Sequence, residues 1–160
     1  MEGTRRFDTL YAEVSAWEKR DFVTPLRQIQ MEPAGDDVAL SFGDTEYGIN
    51  KTGHDHIASA AGIPKDYYSR LRENPALLAE NVNYWFGRAP ERKMLRTLNG
   101  NARALLSDRY QRIDHFDLLQ AALPIFSGLQ VQGIEMKDCG LTDDRMYIKA
   151  AFPKMAGEVK

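Results

Sequence analysis

The chain has 160 residues, of which 43% are hydrophobic and 28% charged, and its formal net charge is −2. This size and composition are typical of a single globular domain, and so small a negative charge argues against a uniformly basic nucleic-acid coat. The single cysteine, Cys139, excludes an internal disulfide framework, and we assign it no role. No apolar run approaches the ~20 residues that a membrane-spanning helix needs, and the opening MEGTRRFDTL does not resemble a signal peptide.

The first predicted element is a helix over residues 5–20. Its apolar side chains recur at helical spacing and form one face, which comprises Phe7, Leu10, Tyr11, Val14 and Trp17. We expect the segment 1–20 to be a docking helix that packs on the rest of the protein or on another subunit.

The next stretch alternates apolar and polar residues and contains two turn signals. It predicts a small antiparallel meander with strands at Leu26–Glu32, Asp37–Phe42 and Thr45–Ile49. Turns at Pro33–Asp37 and at Gly43-Asp44 separate these strands.

A run of short helices is predicted after the meander. Thr52 is expected to cap the first of these helices, Gly62 to follow its end, and Pro64–Glu73 to form the second. This spacing is also found in helix-turn-helix proteins, with Pro64–Glu73 as the recognition helix. Because Asp66 and Glu73 dilute its positive charge, we favour an ordinary corner in the core.

The histidines of the first helix have poor spacing for binding a metal. His54 and His56 are two residues apart, and therefore point to different faces of the helix. We expect both to be surface residues.

A third helix is predicted from Pro75 to about Gly87, and aromatic residues lie near its end. Tyr84, Trp85 and Phe86 precede Arg88, and aromatic rings beside arginines are typical of surfaces that bind single-stranded nucleic acid. The alternative is that Trp85 and Phe86 belong to the core, which we favour for at least one of them.

Asn99-Gly100 between two strand-like runs predicts a two-residue β-hairpin. That turn places Thr97 opposite Ala102 and Arg96 opposite Arg103. Two facing arginines repel each other, so an anion over this face would relieve them. The alternative is that both side chains extend into water or find their own carboxylates.

A capped helix is predicted to follow the hairpin. Asp114 is the expected N-cap, Asp117 lies near the positive end of the helix dipole, and Ile113 and Leu118 fit a hydrophobic staple. Capping explains the Asp114, His115 and Asp117 group better than a metal site does. The inward stripe of this helix comprises Phe116, Leu119, Leu123 and Phe126.

Pro124 is expected to end or kink this helix, and a strand pair is predicted beyond it. The strands are assigned to Leu129–Lys137 and Arg145–Phe152, with a turn at Asp138–Asp144. We expect disorder from Pro153 onwards. Together these elements predict an α+β fold, in which an N-terminal meander, a central hairpin and a C-terminal strand pair combine with several packed helices.

Several segments together resemble a phage- and plasmid-borne family, the phage/plasmid-like proteins, whose common domain has no settled activity. The resemblance runs from about Lys51 to the end of the chain. It implies a bacterial cytoplasmic protein of a mobile genetic element, with the chain shorter at its C-terminus than the family domain. The segments that carry it are Ala61–Pro64, Tyr67-Tyr68, Arg70-Leu71, Asn81–Trp85, Arg96, Ala104–Tyr110, Ile113-Asp114, Leu118-Leu119 and Ala121–Pro124.

Positive charge is concentrated in one part of the sequence. Between Tyr84 and Arg112, seven cationic side chains accompany only two acidic ones, a local balance of +5 that leaves −7 for the rest. We therefore predict a protein that binds single-stranded DNA or RNA without sequence preference and serves recombination or replication. The predicted binding residues are Trp85, Arg88, Arg92, Lys93, Arg96, Arg103, Arg109, Tyr110 and Arg112.

Two other classes of function remain open. One is a protein-interaction module without catalytic activity, which modulates host defence or forms homo-oligomers through an apolar patch around Tyr11 and Trp17. The other is an enzyme whose site lies partly in a missing C-terminal portion. The sequence contains no phosphate-binding glycine loop, nucleophile motif or zinc spacing, so we predict no catalytic residues, no metal and no cofactor.

Overall fold

The computed structural model describes residues 7–131, 135–142 and 145–151. Its fold class is α+β, as predicted. The chain forms two compact units: unit 1 comprises Met1–Trp17 and Gln111–Lys160, and unit 2 comprises Glu18–Tyr110. No helix within the described ranges is long and apolar enough to cross a membrane.

The described residues form five helices and eight strands. The helices are α1 (Phe7–Ser15), α2 (Lys51–Ala61), α3 (Lys65–Leu71), α4 (Pro75–Arg88) and α5 (His115–Val131). The strands are β1 (Lys19–Pro25), β2 (Gln30–Ala34), β3 (Asp37–Phe42), β4 (Thr45–Ile49), β5 (Arg92–Leu98), β6 (Asn101–Ser107), β7 (Glu135–Leu141) and β8 (Met146–Ala151).

Unit 2 is built on a six-stranded sheet with the order β1-β5-β6-β4-β3-β2. Neighbouring strands are antiparallel except β4 and β6, which run parallel and pair Ile49 with Ala102. The helices α2, α3 and α4 connect β4 to β5, which leads through the hairpin into β6, and they share a core with one face of the sheet. That core includes Leu40, Leu95 and Leu105 from the strands and Ile57, Leu78 and Phe86 from the helices.

The ends of α2 and α4 follow simple capping rules. The side chain of Asn50 accepts a hydrogen bond from Gly53 N at 2.8 Å, so Asn50 caps α2 and the prediction of Thr52 was wrong. Gly62 ends α2 in the left-handed region at φ 67°, as predicted. Asn74 caps α4, and Pro75 occupies its first turn.

The strand β1 is absent from the sequence prediction. We predicted a helix as far as residue 20, whereas α1 ends at Ser15 and β1 begins at Lys19. The three charged residues that open β1 hide its alternation, and it is stabilised mainly by its pairing with β5. The next predicted strand, Leu26–Glu32, is also wrong at its start, because Leu26–Gln28 is a single 3-10 turn and β2 begins at Gln30.

The hairpin turn and the two predicted pairs next to it are confirmed, but the predicted register beyond them is not. Asn99 and Gly100 have φ values of 48° and 78°, as a two-residue turn of this kind requires. Thr97 lies opposite Ala102 as predicted, but Arg96 lies opposite Ala104 because the register shifts there. A β-bulge therefore absorbs Arg103, and the prediction of a facing Arg96–Arg103 pair was wrong.

Unit 1 combines α1, α5 and the antiparallel pair β7–β8 around a small core of Leu10, Val14, Leu119 and Cys139. Asp114 immediately precedes α5, and its backbone N–H donates to Asp117 Oδ2 at 3.1 Å, so the Asp117 carboxylate binds the start of the helix. The predicted staple is not formed, because Ile113 is 73% exposed and Leu118 is 53% exposed.

The C-terminal elements of unit 1 differ from the prediction. The helix α5 does not end at Pro124 but continues to Val131, so the predicted strand start at Leu129 was wrong. The predicted turn at Asp138–Asp144 was wrong over Asp138–Leu141, because these residues belong to β7. The strand β8 lies within the predicted second strand. Residues from Pro153 onwards lie outside the described part.

Candidate functional site

The nine predicted binding residues do not form one surface. Arg112 belongs to unit 1, and the other eight belong to unit 2. Within unit 2, Arg96 lies in a buried ion pair and Arg103 lies in the β-bulge. The other cations lie around one end of the hairpin.

Arg96 is buried in an ion pair. It is 7% exposed, and its Nε donates to Asp21 Oδ2 at 3.3 Å across the β1–β5 pair. Its guanidinium carbon also lies 6.0 Å from the ring centroid of Tyr110. Since Asp21 neutralises this charge inside the protein, we do not include Arg96 in the candidate surface.

Arg103 lies in the β-bulge of β6 and is half-buried. Its neighbour Ala104 pairs with Arg96 in the middle of β5, so Arg103 is separated from both ends of the hairpin. We therefore do not include Arg103 either.

Four cationic residues lie at the open end of the hairpin, where β5 begins and β6 ends. Arg88 is the last residue of α4, Arg92 and Lys93 open β5, and Lys93 pairs with Ser107 at the end of β6. Arg109 follows two residues later. We call this group, Arg88, Arg92, Lys93 and Arg109, the hairpin base.

A fifth cation, Arg27, was missed by the sequence analysis. Pro25 pairs with Arg92 at the end of β1, and Leu26 N donates to the carbonyl oxygen of Glu91 at 3.1 Å. The 3-10 turn that contains Arg27 therefore lies beside the start of β5. Only the pairing of β1 with β5 reveals this proximity, and β1 was the strand that we failed to predict.

Aromatic rings lie next to the hairpin base on α4. Tyr84 is 50% exposed and Trp85 is 49% exposed, and their ring centroids are 5.1 Å apart in an edge-to-face arrangement. The guanidinium carbon of Arg88 lies 3.7 Å above the Tyr84 ring. Phe86 is buried, which confirms that one of the two aromatic residues belongs to the core, whereas Trp85 remains accessible to a base.

A second polar cluster, around His54, was not predicted. His54 is only 6% exposed, so its prediction as a surface residue was wrong. Its Nδ1 lies 2.9 Å from the hydroxyl of Tyr68, and its Nε2 lies 4.0 Å from Asp37 Oδ1. His56 is half-buried and its Nδ1 accepts from Leu105 N at 3.2 Å, so both histidines hold α2 in place.

The environment of His54 keeps the ring neutral near pH 7. Burial lowers the pKa of His54 to about 4, and the nearby Arg72 adds to this effect. Burial also raises the pKa of Tyr68 well above its usual value. For Asp37 burial acts to raise the pKa, but the hydrogen bonds from Arg72, at 2.6 Å, and from Val38 N outweigh it and the pKa is lowered.

A pocket of about 270 Å³ lies between α2 and α3 beside this cluster. Its lining is mostly polar and charged, and includes Lys51, His54, Asp55, Lys65, Tyr68 and Arg72. No group of metal-ligating residues occurs in the part of the chain that the structure describes. The polar and charged lining of the pocket is suited to a small polar molecule.

We found no match to the chain among protein-family models, curated proteins or solved structures. The resemblance to the phage/plasmid-like proteins therefore stays a prediction, and the functional argument depends on the geometry of the chain itself.

Proposed function

We propose that this protein binds single-stranded nucleic acid, without strong sequence preference, through the hairpin base and the exposed aromatic rings of α4. The observation that carries the proposal is the position of Tyr84, Trp85 and Arg88. They display two half-exposed rings and a guanidinium that packs on Tyr84, at the end of the helix that leads into the cationic start of β5. The family resemblance adds the prediction that the protein acts in the recombination or replication of a mobile element.

Two kinds of contact contribute to such binding. The cationic side chains attract phosphates and release counterions, whereas exposed aromatic rings stack on bases of any sequence. Exposure of the apolar ring of Trp85 to water is unfavourable, and a base that stacks on the ring would bury this area. Glu91 and Asp108 lie in the same region and reduce its charge, which favours a weak, non-specific mode of binding.

Trp85 also provides the means to test the proposal. The chain contains two tryptophans, so Trp17→Phe leaves Trp85 as the only indole reporter. Addition of oligo-dT should quench its fluorescence saturably in the Trp17→Phe protein. We expect Trp85→Ala, followed by fluorescence anisotropy of a labelled oligonucleotide, to weaken binding about tenfold, because a stacked base contributes about 1–3 kcal/mol.

Arg70 provides a matched control. It is exposed near the end of α3, within the segment that the helix-turn-helix alternative uses for recognition. Arg70→Ala should leave oligonucleotide affinity unchanged, whereas Arg92→Ala should weaken it. If Arg70→Ala weakens binding and Trp85→Ala does not, the proposed surface is wrong and α3 is the better candidate.

The alternative of a protein-interaction module is favoured by a different observation. Ile113, Leu118 and Ile125 are 73%, 53% and 62% exposed, and Leu118 and Ile125 are seven residues apart on one face of α5. The patch that we predicted around Tyr11 and Trp17 is instead half-buried in unit 1, where Tyr11 packs on Phe116 and Trp17 on His115. Light scattering after size exclusion, with Leu118→Glu against the unaltered chain, tests self-association through α5.

A further inference from the structure

We propose that the pocket between α2 and α3 binds a small doubly charged oxyanion, such as a phosphate monoester. This site is separate from the hairpin base, and its argument does not require nucleic-acid binding. The pocket lies wholly within unit 2 and has a volume of about 270 Å³, which leaves room for a phosphate group with a short organic substituent against Ala58.

The charge of the lining favours a dianion. Lys51, Lys65 and Arg72 line the pocket together with one carboxylate, Asp55. The lining therefore has a balance of +2, or +1 when Asp37, which is bonded to Arg72, is counted as well, in a chain whose net charge is −2. Lys65 already pairs with Asp55 at 3.1 Å. Within the described ranges Lys51 forms no ion pair, so it is the cation best placed to bind an incoming anion.

Arg72 is also positioned to bind an anion in the pocket. One of its terminal nitrogens donates to Asp37 Oδ2 at 2.6 Å, which fixes the guanidinium at the pocket wall. A guanidinium has five N–H donors in a rigid fork, so the remaining donors can bind an oxyanion without breaking the bond to Asp37. The hydroxyl of Ser69 adds a neutral donor to the same lining, whereas the hydroxyl of Tyr68 is already bonded to His54 Nδ1.

His54 supplies an independent indication of a polar occupant. It lines the pocket, and its buried Nε2 has no hydrogen-bond partner among the described residues. A buried polar nitrogen without a partner is unfavourable. Burial and Arg72 lower the pKa of His54, whereas Asp37 and Asp55 raise it. A bound anion in the pocket would also raise it and so favour the protonated ring.

Nuclear magnetic resonance on the full chain tests the proposal. Inorganic phosphate and methyl phosphate, each added at pH 7.5, should shift the His54 ring signals and the backbone signals of Lys51 and Ser69 saturably. Acetate, a monoanion, should bind at least about tenfold more weakly. Absence of a saturable shift with both phosphates, or equal binding of acetate, would overturn the assignment.

Two matched variants separate this pocket from the hairpin base. Lys51→Gln should weaken phosphate binding about tenfold, since it removes a charged donor, whereas Lys93→Gln should leave phosphate binding unchanged. Lys51 is exposed, so its replacement should not disturb folding, which the retained spectrum of the variant verifies. Equal phosphate affinity in Lys51→Gln and the unaltered chain would show that the pocket is not the site.

Discussion

Arg96 and Asp21 lie opposite each other on β5 and β1, and their side chains are only 8% and 5% exposed. Removal of one partner leaves an uncompensated buried charge, which costs far more than an exposed pair contributes. Sequence spacing alone assigned Arg96 to the phosphate-binding set, because Asp21 is 75 residues away in the chain. In the structure its partner is the buried carboxylate of Asp21.

This assignment predicts the behaviour of an Arg96 variant. Arg96→Met should lower the free energy of unfolding by about 3 kcal/mol, because Asp21 is then buried without its cation. The double variant Asp21→Ala/Arg96→Met should recover part of that loss, and urea denaturation measures both. If Arg96→Met keeps full stability but loses oligonucleotide affinity, Arg96 belongs to the binding surface after all.

His54 predicts a pH dependence of stability. Its pKa is about 4 in the folded protein and near 6.5 in the unfolded chain, so the unfolded chain binds the additional proton between these values. Stability should therefore fall as pH falls through this window, by about 2 kcal/mol between pH 7 and pH 5. Urea denaturation at the two pH values measures this loss.

His54→Gln provides the control for this prediction. The variant lacks the titrating ring, so its stability should change much less than that of the unaltered chain between pH 7 and pH 5. An equal loss in both proteins would mean that another group carries the dependence. Asp37, whose pKa is lowered, adds its own loss only at more acidic pH.

At the level of the elements, α2 approaches β6 closely because Gly53 lacks a side chain. A Cβ at Gly53 would lie 2.5 Å from the carbonyl oxygen of Ala102, whereas a Cβ at Gly87 in α4 would meet nothing within 4 Å. The sequence analysis did not identify Gly53, because the sequence does not show which strand a helical glycine packs against.

The two glycines predict opposite effects. Gly53→Ala should destabilise the protein by about 1–3 kcal/mol, because α2 must move away from β6. Gly87→Ala should stabilise it by up to about 1 kcal/mol, because alanine has the higher helix propensity. Thermal unfolding of both variants measures the difference, and a neutral Gly53→Ala would show that α2 is not held this closely.

For the whole molecule, local signals predicted the elements better than their arrangement. The Asn99-Gly100 turn, the Gly62 cap and the Pro75 helix start were correct because each depends on residues within one turn of chain. The strand β1, the bulge at Arg103 and the helix beyond Pro124 were missed because pairing and packing with distant residues decide them. The same limit affected the candidate sites. Arg96 is buried and so does not belong to the candidate surface, and His54 is buried and lines a pocket.

The salt dependence of oligonucleotide affinity tests the central claim most directly. Four cations of the hairpin base should give a slope of about −3 for log affinity against log salt concentration on single strands. Arg92→Ala/Arg109→Ala should reduce that slope to about −1.5, because two phosphate contacts are lost. An affinity that does not change with salt, or a slope unaltered in the double variant, would contradict the proposed nucleic-acid surface.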